Sequence, residues 1–313
     1  MKIITHKMIE DLNLDPNLWY EWVDAVLSNK HKFIMPAKTS IHMENGTYFN
    51  TMPSIIPMAD VMGVKVVNRF LGRTPSLESQ LMLYDYKNGQ LKAIMDANMI
   101  TAMRTGAAAT HAIEHFAVKD FKELGIMGFG NIGIAVLEVT LAHFKDRPMH
   151  IKLLRYKDHA EKMIERFKKY TNVDFEIVDT AEQIIKNSDV VISCIPYTEE
   201  LIGELDWFKK GCLVLSVHLR GFQNCDRDFD KVFGDDTAQV SGFQYFKEFK
   251  SFAETSEVLR GENPGREHDD ESILAYYVGM SLHDIYAAAM LYKMFDHVEE
   301  EKLTMGPTKR YWL

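Results

Sequence analysis

A glycine-rich segment that follows an apolar run constrains the fold of this chain more than any other feature. Residues 124–133 read LGIMGFGNIG, so the segment ends in the pattern G-x-G-x-x-G. Where a strand turns sharply into a helix, the first glycine makes the turn and the second admits a pyrophosphate close to the backbone. The third lets the helix and the strand pack tightly. The residues of this turn that we predict to bind a dinucleotide are Gly128, Gly130, Asn131, Ile132 and Gly133.

The chain beyond the glycines alternates between helix-like and strand-like segments. The predicted helices are 134–144 and 160–170, and the predicted strands are 150–154, 173–178, 189–195 and 211–216. Strands separated by helices are typical of a parallel sheet covered by helices on both faces. The sequence therefore predicts an α/β fold with a Rossmann-type doubly wound parallel sheet. This context favours a dinucleotide site over a strand that merely ends in glycines.

The end of the second strand of this unit bears on which dinucleotide binds. NAD sites usually carry an acid there to hold the ribose 2′-hydroxyl. Here Arg155 and Lys157 come before the first acid, Asp158. A guanidinium binds a 2′-phosphate through two hydrogen bonds, whereas an acid would repel it. We therefore favour NADP(H), with NAD(H) as the alternative cofactor; in the other interpretation, both basic side chains are solvated loop charges.

Length and composition indicate how the chain is organised. A chain of 313 residues exceeds one ordinary hydrophobic core, so we expect two units. The predicted NAD(P)-binding Rossmann unit spans 119–271. Residues 1–118 and 272–313 are predicted to form an α+β unit for substrate binding and dimerisation, with a long apolar helix over 273–295.

Charge and cysteine content exclude several classes of partner. The formal net charge is −9, so nucleic acid and anionic membranes are not expected as partners. No apolar run has the length of a membrane span, and the three cysteines are scattered, which does not favour a disulfide framework. We expect a cytoplasmic protein in which any anionic ligand meets a local basic cluster.

Three basic residues stand in surroundings that could form such a cluster. Arg104 lies in a predicted helix of small residues, which would let a ligand or another backbone approach closely. Lys65 lies within an apolar strand-like segment, and Lys38 follows a Met-Pro turn. Taken singly, each side chain more often belongs to a surface or extends its charge to water. An arginine on a surface of small residues suits a carboxylate or a phosphate.

Short segments along nearly the whole chain form a further set of patterns. They are 35–38 (MPAK), 52–53 (MP), 63–65 (GVK), 101–109 (TAMRTGAAA), 128–133 (GFGNIG), 265–266 (GR) and 278–288, which includes Asp284. Together these segments resemble the ornithine cyclodeaminase/μ-crystallin family. The most specific feature is R-T-G-A-A-A over 104–109, followed by the glycine pattern at 128–133.

The resemblance implies a homodimer of two-domain subunits that acts on small amino or imino acids with a nicotinamide cofactor. It assigns the substrate carboxylate to Lys38, Lys65 and Arg104, and we also count Lys65 among the candidate catalytic residues. Family members commonly have arginine where this chain has Lys38. The lysine offers a single ammonium charge in place of a guanidinium that can donate two parallel hydrogen bonds. We also count Thr105, beside Arg104, among the cofactor-binding residues.

The segment 216–221 departs from the family pattern. Where cyclodeaminases usually have an aspartate that assists at the imine, ungapped alignment places His218. A histidine can exchange protons near neutral pH, but it does not stabilise a positive iminium as a carboxylate does. His218 is thus a candidate catalytic residue, although it could be a satisfied histidine at a strand end.

Three functions follow from the resemblance. The first is ornithine-cyclodeaminase-like chemistry, in which hydride leaves and returns to the α-carbon while ammonia is released. The second is NADPH-dependent imine reduction or amino-acid dehydrogenation, and the third is a non-catalytic, crystallin-like role in cofactor binding.

One further pattern, H-x-x-E-H over 111–115, matches a zinc-protease signature. Patterns without their structural context are mostly accidental. The resemblance assigns no metal here, so we expect neither a metal site nor zinc catalysis.

Overall fold

In the computed structural model of the chain, the described residues are 1–301 apart from 196, 197, 199, 219 and 220. The strands are β1 (Lys2–Ile4), β2 (Thr39–His42), β3 (Tyr48–Ile56), β4 (Val61–Arg69), β5 (Leu77–Asp85), β6 (Leu91–Asp96), β7 (Glu123–Met127), β8 (Met149–Leu154), β9 (Val173–Val178), β10 (Val190–Ser193), β11 (Leu213–Ser216), β12 (Lys231–Gly234), β13 (Phe252–Glu254) and β14 (Ile273–Tyr276). The α-helices are α1 (His6–Asp11), α2 (Pro16–Asn29), α3 (Asn98–Phe116), α4 (Asn131–His143), α5 (His159–Phe167), α6 (Ala181–Ile185), α7 (Thr237–Val240), α8 (Thr255–Leu259) and α9 (Ser281–Met294).

The strands form two sheets. The first has the order β1-β6-β5-β4-β3-β2 and is antiparallel except for the parallel β1–β6 pair. The second has the order β13-β12-β14-β11-β10-β7-β8-β9, and all of its pairs are parallel. Strands β8 and β9 lie to one side of β7, and β10 and β11 lie to the other. The predicted doubly wound sheet is confirmed, and its strand order reverses beside β7, where such folds bind ligands.

Helix α3 connects the two sheets and is built from small residues. Alanines, threonines and a glycine make up most of its buried residues. A Cβ atom at Gly106 would lie 2.4 Å from the carbonyl oxygen of Ala135 in α4. The backbones of α3 and α4 are therefore in direct contact, and the helix that carries Arg104 packs against the helix that follows the glycine turn.

The prediction of a helix over 273–295 is wrong for the residues before Ser281. Residues Ile273–Tyr276 form β14, which lies between β11 and β12 in the parallel sheet, and the helix begins only at Ser281. A short apolar run does not distinguish a buried strand from a buried helix, and this run is buried on both faces of the sheet. Residues 302–313 of the predicted substrate unit lie outside the described residues.

Helix α9 packs back onto the first sheet. Ser281 Oγ donates a hydrogen bond to the Pro53 carbonyl in β3 at 2.9 Å. A Cβ atom at Gly63 in β4 would lie 2.7 Å from the side chain of Ile285, so this glycine lets helix and strand approach closely. That approach brings Lys65, two residues further along β4, against α9.

Candidate active site

A buried carboxylate holds two of the three predicted substrate-binding cations. Asp284 of α9 is fully buried and lies 2.7 Å from Lys65 Nζ and 2.9 Å from Arg104 Nε. Lys65 Nζ also lies 3.3 Å from the hydroxyl of Thr101, one helical turn before Arg104. A buried charge persists only when it is paired, so Asp284 fixes both cations in place.

Arg104 keeps part of its hydrogen-bonding capacity unused. Its Nε bonds to Asp284, but the described residues offer no acceptor to Nη1 or Nη2. Both terminal nitrogens lie against Gly279, where an added Cβ would come within 2.9 Å and 3.1 Å of them. Its side chain is 8% exposed. Two parallel donors held in a nearly dry cleft match the geometry of a carboxylate.

Lys38 reaches the same region from the loop before β2. Its Nζ donates a hydrogen bond to the Val278 carbonyl at 3.1 Å, next to the Gly279 that packs on Arg104. Burial is the main cause that lowers the pKa of Lys38, and the positive charge of Arg104 lowers it further. The structure thus brings the three predicted cations together around the segment between β14 and α9.

Burial also lowers the pKa of Lys65, to about 7. Asp284 opposes this shift, whereas the positive charges of Arg104 and Lys38 add to it. The amine therefore titrates near neutral pH, which suits a group that gives and takes protons.

Asp235, which no sequence pattern singled out, contacts the same 277–280 segment. Its carboxylate accepts a hydrogen bond from the Gly279 backbone N–H at 2.7 Å. Burial raises its pKa to about 6, although that hydrogen bond and the charges of Lys30 and Lys38 act against the rise. Asp235 comes directly after β12, and its bond to Gly279 ties the end of this strand to the loop against which Arg104 packs.

The glycine turn has the shape that a dinucleotide requires. Gly128 has φ of +92°, a conformation that L side chains rarely adopt. A Cβ at Gly133 would lie 2.0 Å from the Gly128 carbonyl oxygen, whereas nothing lies within 4 Å of one at Gly130. The turn is therefore tight, closely packed on its helix, and open at the middle glycine.

Asn131 and Ile132 form the first turn of α4. Asn131 is exposed, whereas Ile132 is half-buried and packs against the core. The backbone N–H groups at the start of α4 are available to a phosphate, because no side chain caps this helix. Thr105 is buried, and its hydroxyl donates to the Thr101 carbonyl at 2.6 Å, so it can only accept a further hydrogen bond.

The predicted 2′-phosphate residues follow β8 on the surface. Arg155 is engaged by two acids: its Nε lies 2.7 Å from Asp179 and its Nη1 lies 2.8 Å from Glu161. Lys157 is exposed and has φ of +52°, with its Nζ 5.3 Å from the ring centre of Tyr156. Exposed ion pairs contribute little, so a phosphate can compete for Arg155.

His218 lies two residues beyond the end of β11. Its Nε2 is 2.6 Å from the hydroxyl of Ser193, the last residue of β10. Ser193 is in register with Met127, which precedes the glycine turn. His218 is therefore placed at the carboxyl edge of the sheet, beside the predicted cofactor site.

A family model described as the ornithine cyclodeaminase/mu-crystallin family matches residues 3–299. The chain belongs to this family. Among curated proteins, an N-((2S)-2-amino-2-carboxyethyl)-L-glutamate dehydrogenase of Staphylococcus aureus is 29% identical over 229 residues, with 68% of this chain and 67% of that protein covered. The mouse ketimine reductase mu-crystallin is 25% identical over 292 residues, with 86% of this chain and 90% of that protein covered.

A solved structure supports the same fold. Thermococcus litoralis Δ1-pyrroline-2-carboxylate reductase, in complex with NADH and L-proline, has a TM-score of 0.82 at 23% identity and covers 96% of this chain and 100% of its own. The predicted family and fold class are thus confirmed. Separately, no helix in the described ranges has the length and apolar character needed to cross a membrane.

Proposed function

We propose that this family member is a reductase that adds hydride from NAD(P)H to the C=N carbon of a small α-imino acid. The observation that carries the proposal is the open pair of terminal nitrogens on Arg104, which faces no acceptor among the described residues. A carboxylate held there, with Lys65 and Lys38 nearby, leaves the adjacent carbon as the reacting atom.

The nicotinamide cofactor supplies the hydride when it is bound. The hydride forms the new C–H bond, and the electron pair of the broken C=N π bond takes up a proton at nitrogen. Lys65 is our candidate for moving that proton, because its pKa of about 7 lets both forms exist near neutral pH. Its Nζ lies 2.7 Å from Asp284, which also pairs with Arg104, so the amine is held beside the carboxylate-binding guanidinium of the proposal.

His218 favours reduction over cyclodeamination. Cyclodeaminases usually have an aspartate at this place that assists at the imine, and this chain has a histidine bonded to Ser193 there. The relatives named as a dehydrogenase and as a ketimine reductase support the same choice. Ornithine-type cyclodeamination is the second candidate, since Lys65 could serve its proton transfers equally well.

The glycine turn supports a nicotinamide dinucleotide as the cofactor. Gly133 closes the turn and Gly130 leaves it open to a pyrophosphate. We propose NADP(H) as the preferred form, because Arg155 stands at the end of β8 where an acid would select NAD(H). The proposal includes that Arg155 gives up its ion pairs with Asp179 and Glu161 and bonds to the 2′-phosphate instead.

One assay separates the candidate functions. Purified protein is incubated with Δ1-pyrroline-2-carboxylate and NADPH or NADH, and separately with L-ornithine and oxidised cofactor, while nicotinamide absorbance and ammonia are followed. Reduction predicts loss of NADPH in equal amount to the imine. Proline and ammonia without net cofactor change would instead support cyclodeamination. Cofactor binding with neither reaction would contradict both for these substrates and favour the non-catalytic role.

Arg104→Met tests the carboxylate site. We expect kcat/KM for the imine to fall about 100-fold, since a charged hydrogen-bond pair is lost. The matched control is Arg73→Met, because Arg73 pairs with Glu78 on the surface. Equal activity of the two variants would contradict the assignment.

The homodimer and the cytoplasmic location stay predictions, and sedimentation of the purified chain tests the first.

A further inference from the structure

Helices α2 and α3 bring two histidines and an aspartate together away from the cofactor turn. His111 and His115 are one turn apart on α3, with ring centres 4.3 Å from each other. Asp24 of α2 lies across from them, with its Oδ1 3.1 Å from His111 Nε2. One potential ligand atom from each residue lies within 4.8 Å of the other two.

This set of atoms is suited to a transition metal. Two imidazoles and a carboxylate are ligands that Zn²⁺ and neighbouring divalent ions prefer. Metal–ligand bonds of about 2.0–2.1 Å in a tetrahedral site separate the ligand atoms by roughly 3.3 Å. The Asp24–His111 distance already has this length, and the ligand atom of His115, which lies within 4.8 Å of the other two, would move closer on binding.

A metal ligand must be a neutral imidazole or an ionised carboxylate. His111 is fully buried, and its Nδ1 has no hydrogen-bond partner among the described residues. On metal binding, His111 Nε2 would give up its hydrogen bond to Asp24, and the remaining ring proton would lie on Nδ1.

A second layer of polar groups surrounds the three residues. The ring of Tyr20, in α2, lies 5.5 Å from His111 and stacks at 4.0 Å on His143, the last residue of α4. His143 Nε2 in turn lies 3.5 Å from Glu114. Glu114 is the acid of the H-x-x-E-H pattern, and here it is turned towards α4. The arrangement therefore lacks the acid that a zinc protease uses as its base, which points to a structural ion.

We propose that Asp24, His111 and His115 bind a divalent first-row transition metal ion, such as Zn²⁺, which joins α2 to α3. The proposal is independent of the proposed reductase activity. The third ligand comes from a different helix, so the ion would hold α2 against α3, the helix that carries Arg104. Water would complete the coordination on the exposed side of Asp24 and His115.

The test uses the full, untagged chain after treatment with a chelator. Calorimetric titration with Zn²⁺ should show one equivalent bound per chain. Titration with Co²⁺ should give the visible absorption of a low-coordinate nitrogen and oxygen site, and Zn²⁺ should raise the Tm. Asp24→Asn and His115→Gln, which keep the side-chain size, should each weaken binding at least about tenfold, because even indirect partners of a metal contribute that much.

His150→Gln is the matched control. His150 lies between Glu123 at 2.8 Å and Glu176 at 3.5 Å on the second sheet, so it offers an ordinary surface histidine–carboxylate group. Its replacement should leave the one-equivalent binding unchanged. The proposal is overturned if the parent chain binds no stoichiometric Zn²⁺ or Co²⁺, a result that needs no variant to fold. It is equally overturned if both ligand variants bind the metal as the parent does.

Discussion

The buried amine of Lys65 makes a quantitative prediction about stability and pH. Its pKa is lowered from 10.5 to about 7 in the folded protein, chiefly by burial. Between these values the unfolded chain binds a proton that the folded chain has largely lost. Stability must therefore rise with pH across this window, by up to about 1.4 kcal/mol per pH unit. Integrated from pH 7 to pH 9, the gain is about 2 kcal/mol.

The Lys65→Met variant isolates this contribution. It removes the titrating amine, keeps the length of the side chain and leaves Asp284 paired with Arg104. Urea unfolding at pH 7, 8 and 9 gives the free energy of unfolding of both proteins. We expect the stability of the parent, relative to the variant, to improve by about 2 kcal/mol over this range.

Other groups also titrate between pH 7 and pH 9. Comparing the parent with Lys65→Met removes their contribution to the free energy of unfolding. Burial raises the pKa of all three cysteine thiols to about 12, so stability falls above about pH 8.5 as unfolded thiols ionise. That loss is common to both proteins and cancels in the difference. Lys92→Met serves as a control, since Lys92 is a partly exposed partner of Asp85. Parallel stability curves for the parent and Lys65→Met would refute the reasoning about burial.

Four further predictions concern the cofactor side of the site. Gly133→Ala should lower the free energy of unfolding by about 1–3 kcal/mol in a urea titration, because its methyl group would lie 2.0 Å from a backbone oxygen. Gly130→Ala, which meets no atom within 4 Å, should instead keep the stability and weaken NADPH affinity measured by fluorescence. Arg155→Ser should raise the KM for NADPH about tenfold or more and leave that for NADH nearly unchanged; equal effects on both would contradict the 2′-phosphate assignment. His218→Gln should preserve the bond to Ser193 but lower kcat, with a shifted pH profile, whereas an unchanged profile would exclude proton transfer by His218.

The sequence was informative where structure depends on neighbouring residues. The turn at Gly128, the strand before it and the helix after it form one continuous segment, so their pattern predicted the doubly wound fold. Lys65 was correctly expected on a buried strand because its neighbours are apolar. In each case the physical cause lies within about ten residues of the feature.

The structure added what depends on distant contacts. Asp284 was part of a recognised segment, but its bonds to Lys65 and Arg104 cross more than 100 positions of the chain and depend on how α9 packs on β4. An acid within an apolar helix was the signal that could have revealed it. The contact of Asp24 with His111 likewise depends on helix packing, and β14 was misread because its apolar residues suit either a strand or a helix.

The close contact between α3 and α4 has a consequence for how substrate choice can change. Arg104 and Gly106 are two positions apart on one helix, and Gly106 touches the backbone of α4. Under the proposed function, the distance from the carboxylate site at Arg104 to the phosphate site at the glycine turn is therefore fixed by helix packing. That fixed distance would place the carbon next to the carboxylate as the reacting atom, whatever group this carbon bears. New substrates could then arise through changes in residues around the distal group, without a change in the distance over which hydride moves.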